Sequence, residues 1–394
     1  MTTPSDVQGL GLSFNAWQPS ITPGTSYTPK GTYVPLAFDL VNNYKHSLDA
    51  AGGYRSATID ISVNRRQFDE WLYNGLNRHI EVVDHALDVI FEGFVNEIGG
   101  VVGGATVRRG PMMDVTNRAR VVYSTVDTSV DPPAVGVRQP TAWADNSDSQ
   151  ARYGTLEEVL STSGQTAANA EQMRDTHLAD SANPKHSQTL TFPPSGAASI
   201  SIACLGYINK TEQYVYNQTT TGGLYNLSTK LADVLAAQPD GLFGTGSIAT
   251  NTIQIKRWEN DNNIAWGLIK EMSAIGDASD NRYTFGIYAN RQPVYAQAPT
   301  DIAYSHGVLD PDQTILSRFG GIVKPWNILP GRWLELTDLL SDQRAISSLR
   351  QDPRMMFIES VTYSAPWHLT LTGGRVDTIS QQMARLGISG AGGV

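Results

Sequence analysis

His79, Glu81, Asp84, His85 and Asp88 lie in one short stretch of the 394-residue chain, and all are metal-ligand types. Strand alternation would put His79 and Glu81 on one face, so a metal site is conceivable there. Such a site needs three or four convergent ligands. Asp84, His85 and Asp88 instead fall at the expected tip of a hairpin, where polar residues belong for turn reasons. The stretch is therefore read as a turn, and no metal site is assigned.

Paired carboxylates could cleave a glycosidic bond. Glu92 and Glu97 are an odd number apart on an expected strand, so they point to opposite faces unless a bulge intervenes. Glu157 and Glu158 read as the start of a helix, where acids suit the N-terminal dipole. Glu335 and Asp338 form the third pair, again read as structural. Cys204, the only cysteine, sits in the apolar run ISIACLGYI. Partnered by His186 or His368 it would need an exposed, activated thiol, which that setting argues against. The loop GLFGTGS (241–247) has neither phosphate-loop nor dinucleotide spacing. Gly-x-Ser-x-Gly and His-Glu-x-x-His do not occur. No catalytic residue, cofactor site or metal site is expected, and the chain does not read as an enzyme.

The elements that would position such residues read as follows. ATIDISV alternates strictly, with Ile59, Ile61 and Val63 on one face: a half-buried strand. Asn64 with Gln67 makes a capping-box start, and Phe68, Trp71, Leu72 and Leu76 share one helical face before Gly75. IEVVD is a strand, HALD a turn and VIFEGFVNEI the hairpin partner. Gly93 inside that partner predicts a bulge or a close backbone approach. ATVRR and RARVVYSTV follow as strands, and curled hairpins of this kind suit small barrels. Farther on, QTLTF, ASISIACLGYI, TIQIKRW, ILSRFGGIV, RWLELTDL, MFIESVTYS and WHLTLTG are expected strands. RYTFGIYANRQPVYAQ is a hairpin across Asn290-Arg291. Helices are expected at 156–160, 168–178, 227–238, 264–275 and 377–386.

The fold class is thus α+β, predominantly antiparallel β, with small β-barrel-like domains and a few short helices. The expected plan is an extended N-terminal arm (1–30) and a β-barrel-like domain carrying the strand–helix–hairpin unit (31–127). A polar insertion or linker with short helices follows (128–187), then a second α+β domain (188–300). A C-terminal β-rich segment (301–388) closes the barrels, and 389–394 form a flexible tail.

Composition narrows the function classes. Hydrophobic residues make up 40% and charged residues 17%, so the chain folds and draws its polarity mainly from uncharged side chains. The net charge of −9 argues against a protein that grips nucleic acid by its phosphates. The basic clusters Arg65-Arg66, Arg108-Arg109 and Arg118 with Arg120 are read as local ion pairs. An acidic surface could still surround passing DNA. The eight Trp and sixteen Tyr are scattered, which favours core and interface roles over a sugar-binding groove. No apolar run approaches a membrane span. MTTPSDVQGLGLSF lacks the features of a signal peptide, so synthesis in a cytoplasm is expected.

The run IDISVNRRQFDEWLYNGLNRHIEVVDHALDVIFEGFVNEI resembles the hub-type tail proteins of tailed bacteriophages. RRGPMMDVTNRARVVYS resembles a strand pair of that family. WENDNNIAWGLIKEMSAIGD with RYTFGIYANRQPVYAQAP resembles its helix and hairpin. ILPGRWLELTDLL and DPRMMFIESVTYSAPWHLTLTGGRVDTISQQMARLGI resemble its closing segment. The likeness spans roughly 55–125 and 255–388. It departs at the polar insertion of 128–187, and no family catalytic residue exists to carry over. The resemblance implies a structural virion protein of the tail, made in the host bacterial cytoplasm. It would form a hub ring, a trimer favoured, in which two similar barrels per subunit match a six-fold tube. Implied partners are other tail proteins: tail tube, distal tail or tip proteins and tape measure, with DNA only in transit through the channel. The other readings are a receptor- or carbohydrate-binding tail protein, another tail ring protein, or an envelope hydrolase using a carboxylate such as Glu92.

Overall fold

The alternation at 57–63 does build a strand, with Ala57, Ile59 and Ile61 buried, and it lies in the middle of a large open sheet. The computed structural model describes residues 11–34, 41–127, 134–192, 198–217, 223–256, 263–279, 281–310, 314–339, 354–366 and 368–373, with single positions at 129, 132, 312 and 352. The expected helix at 377–386 and the tail beyond it lie outside the described residues.

The elements that matter are β1 (Ser13–Thr22), β2 (Ser26–Val34), β3 (Val41–Asp49), β4 (Ala51–Ser62), α1 (Arg65–Asn74), β5 (His79–Val83), β6 (Val89–Val102), β7 (Ala105–Arg109) and β8 (Arg118–Tyr123). They continue with α2 (Ser147–Tyr153), β9 (Glu157–Ser161), α3 (Ala167–Ser181), β10 (His186–Leu190), β11 (Ser199–Gly206), α4 (Leu227–Ala236) and α5 (Ala265–Ile275). The last are β12 (Tyr283–Tyr288), β13 (Gln292–Gln297), β14 (Trp333–Leu336), β15 (Met355–Ser364) and β16 (His368–Gly373).

The main path runs β2–β1–β5–β6–β11–β4–β3–β15–β16, every pair antiparallel. Branches leave it where a long strand outruns its neighbour. β7 and β10 extend from the far half of β6, β14 adds to β15, and the β12–β13 hairpin joins the start of β4 in parallel. The fold is therefore α+β and predominantly antiparallel, as the sequence predicts. The expected barrels are not closed: the described pairings branch and never return to an earlier strand. The reason is length. β6 has 14 residues and β4 has 12, so each takes different partners along its length and the sheet splays instead of curling shut.

Helix α1 follows its sequence signals. Asn64 accepts from the Gln67 N–H while the Gln67 side chain accepts from the Asn64 N–H, a complete capping box. Its buried face, Phe68, Trp71 and Leu72, lies on β6. The contact is close enough that a Cβ on Gly75 or Gly100 would fall 2.4 Å from the Ile98 side chain or 2.6 Å from the Phe68 ring. Gly93 shows the expected close approach: a Cβ there would meet the Leu205 carbonyl oxygen of β11 at 2.3 Å.

Two local expectations fail. Residues 13–34 are a hairpin within the sheet, because β1 has a second partner in β5 and buries Phe14 and Ala16. The expected helix at 156–160 is strand β9, paired in parallel with β8. Neither partner is near in sequence, so local patterning could not reveal the pairing. Between β8 and β10, residues 146–156 are tied to Asn117, whose side chain bonds the Ser149 hydroxyl, the Gly154 carbonyl and the Leu156 N–H. Helix α3 covers β8 there, with Ala170 packed on Val121 and Tyr123.

Candidate functional site

β5 is buried on both faces. Ile80 and Val82 occupy one face in the core; His79 and Glu81 occupy the other. The hairpin register sets Glu81 directly opposite Glu92, and β1 sets Trp17 beside His79. The structure thus brings together three residues that the sequence weighed in separate groups. They are 0%, 5% and 2% exposed for His79, Glu81 and Glu92.

His79 Nε2 lies 3.9 Å from an oxygen of each carboxylate, too far to hydrogen-bond either, and it has no hydrogen-bond partner. Its Nδ1 is 2.8 Å from the Tyr207 hydroxyl, and the two rings stack at 5.8 Å. Lys30, on edge strand β2, reaches over Trp17 and places Nζ 2.5 Å from Glu81 Oε1. The Arg291 N–H, in the left-handed turn between β12 and β13, donates to Glu92 Oε2 at 3.4 Å.

Two acidic groups facing each other across a strand pair repel, and burial sharpens the repulsion. The effect divides them. Burial and the Glu81 charge push Glu92 up to about 7, against the two backbone N–H groups of the 290–291 turn. Burial also acts to raise Glu81, but its contacts with His79 and Lys30 outweigh that and hold it below the usual carboxylate range. Burial lowers His79 despite the nearby Glu81. Two carboxylates with divided ionisation are what a glycosidase needs. Here both are buried, so neither presents a carboxylate to a saccharide at the surface. The open groove of about 500 Å³ between β1, β2 and α1 is lined by Gln18, Thr32, Glu70, Tyr73, Arg78 and Arg152, and none of the three cluster residues reaches it.

The other sequence candidates disperse. Asp84 folds its own turn, accepting from the Ala86 and Asp88 N–H groups, and His85 points to solvent beside Lys324. Glu97 pairs with Arg108 at the surface. Glu157 and Glu158 point to opposite faces of β9: one accepts from the Val215 N–H and faces Arg118, the other bonds His177 and Thr116. Asp338 accepts from the Leu309 N–H. Cys204 lies in the core, its thiol pushed up by burial, while His186 and His368 are exposed. The basic clusters resolve into local contacts such as Arg65–Asp69 and Arg118–Asp145. None of the six described Trp side chains is exposed.

Sequence reasoning missed the joining of Glu92 to His79 and Glu81. The signal was present in the hairpin: strands ending at Val83 and resuming at Val89 bring 81 opposite 92 once one bulge is allowed. Lys30 and Tyr207 carried no such signal, since their approach depends on β1 and β11.

No family model matches the chain, and no curated protein matches it. Among solved structures it is similar to a tail protein from Neisseria meningitidis MC58, with 8% identity over 90% of this chain and 92% of that one, at a TM-score of 0.41. It is also similar to the 43 kDa tail protein of prophage MuSo2 from Shewanella oneidensis, with 7% identity over 93% and 97% of the two chains, at a TM-score of 0.39.

Proposed function

We propose that this chain is a structural protein of a bacteriophage tail, a hub whose subunits join in a ring at the tail tip or baseplate. The observation that carries the reading is the unit 59–98. The segment that resembles tail hubs folds as strand, capped helix and hairpin, and its strands β4 and β6 flank β11 at the middle of the sheet. The role is architectural: the ring joins the tail tube to distal tip proteins and surrounds the channel for the tape-measure protein and then DNA. Its partners are copies of itself, three being favoured, and those tail proteins. Its place is the virion tail, after synthesis in the host cytoplasm.

Three features support the reading. The carboxylates that come together, Glu81 and Glu92, are buried and not set in an open cleft. The sheet is open, and its strand β10 exposes all five residues, followed by Phe192 at 76% exposure, which offers neighbours both backbone and apolar contact. The net charge of −9 suits a wall past which DNA slides. No described helix is long and apolar enough to cross a membrane.

The test is an antibody against the chain applied to intact particles and viewed by electron microscopy. Label at the far end of the tail is expected. Label at the head–tail junction would keep a structural role and overturn the hub. Absence of the chain from disrupted, purified particles would overturn the virion reading.

A further inference from the structure

We propose that His79, Glu81 and Glu92 form a binding site for one divalent cation of the zinc or manganese type. His79 would supply Nε2, each glutamate one carboxylate oxygen, and Lys30 would act as the competing cation. The proposal stands apart from the tail reading and from any catalysis.

The donors already converge. One ligand atom from each residue lies within 4.8 Å of the other two, and Nε2 is 3.9 Å from each carboxylate. Two sides of 3.9 Å and a third no longer than 4.8 Å put the three atoms at most about 2.5 Å from a common point, so closure to zinc bonds of ~2.0–2.2 Å moves each ligand by no more than ~0.5 Å.

A second observation points at the same place. Nε2 is fully buried, faces both carboxylates and has no hydrogen-bond partner. Its other nitrogen is held by the Tyr207 hydroxyl at 2.8 Å. A ring fixed through Nδ1 with Nε2 turned towards oxygen donors is the arrangement that orients histidine on a metal. Nitrogen and carboxylate donors without a thiolate select zinc or manganese over softer ions.

The charge also fits. Two carboxylates directly opposed across a strand pair need a cation between or beside them. At present Lys30 supplies one positive charge, and it does so from outside: its side chain is 44% exposed while that of Glu81 is 6% exposed. The long stem can swing into solvent without opening the core. A dication would replace its single charge, interact with both glutamates and keep one position for water.

The test uses the full chain, stripped with a chelator and titrated calorimetrically with zinc chloride and with manganese chloride. One-to-one binding of at least one ion is expected, together with a rise in melting temperature. Lys30→Met, at an accessible position that leaves the core intact, should bind roughly tenfold more tightly or better, because the competing ammonium is gone. Glu92→Gln, which removes one of the opposed charges, should fold and lose the site. His85→Ala should bind as the parent does. The proposal is overturned if neither the parent nor Lys30→Met takes up one equivalent of either ion. It is also overturned if the uptake survives Glu92→Gln or disappears in His85→Ala.

Discussion

Acid should weaken this fold in part by charging a histidine buried without a partner. His46 lies on β3, between β4 and β15, opposite Ala57 on one side and Tyr363 on the other. It is 1% exposed, its ring sits 5.4 Å from the rings of both Tyr44 and Tyr363, and neither nitrogen has a hydrogen-bond partner. Burial alone lowers its pKa from 6.5 to about 3. Between those two values the unfolded chain binds the proton and the folded chain does not, so stability rises with pH across the window. The contribution is fully present above 6.5 and is lost as pH falls towards 3. At pH 5 the unfolded group is 1.5 units below its own pKa, which at ~1.4 kcal/mol per unit costs about 2 kcal/mol; the whole 3.5-unit window costs on the order of 5. The assay is urea unfolding of the parent and of His46→Leu at pH 7.5, 6 and 5. The substitution keeps roughly the same volume and removes the titration. The parent should lose about 2 kcal/mol more than the variant between pH 7.5 and 5, contributions common to both cancelling in the difference. Parallel curves would refute the reasoning, because they would mean that the ring accepts a proton without cost in the folded state.

Two further perturbations probe the same interior. Lys210 is 6% exposed with Nζ 4.4 Å from the centre of the Phe94 ring, and burial, only partly opposed by Asp240, lowers its pKa from 10.5 to about 7. The unfolded chain therefore binds more protons between pH 7 and 10.5, and stability should climb across that range by up to about 5 kcal/mol. Lys210→Met should abolish the climb and be the more stable protein at pH 7; denaturation midpoints at pH 7 and 10 that shift equally for both proteins would sink this. Gly93→Ala would push a Cβ to 2.3 Å from the Leu205 oxygen and force β6 away from β11, costing on the order of 3 kcal/mol. A midpoint within ~1 kcal/mol of the parent would show that the two strands part easily.

What the sequence made legible was whatever is decided within about a dozen residues. The capping box of α1, its apolar face, the 283–297 hairpin with left-handed residues at 290 and 291, and the burial of Cys204 all follow from local patterning, and all are present. β9 was not legible because it is a strand only through its parallel pairing with β8, whose last residue lies 34 positions before Glu157. Residues 13–34 were not legible because their Pro, Thr, Ser and Gly content reads as an arm until β5 is known to be the partner of β1. Pro29 and Lys30 in β2 then take on a different meaning: both belong on an unpaired edge, where they discourage stray pairing.

The cluster follows the same division. Its composition was visible, since His79 and Glu81 share a face by alternation and Glu92 lies on the adjoining strand. Its character depends on coverage, which alternation cannot supply. With one face of β5 in solvent, His79 and Glu81 would be ordinary polar residues of a half-buried strand. Trp17 from β1, Tyr207 after β11 and the Lys30 stem turn that face into interior. Burial then converts an unremarkable His-x-Glu into a fixed imidazole between two opposed carboxylates. The charge there is a product of topology: the contacts that seal it come from before β5 and from more than a hundred residues after it.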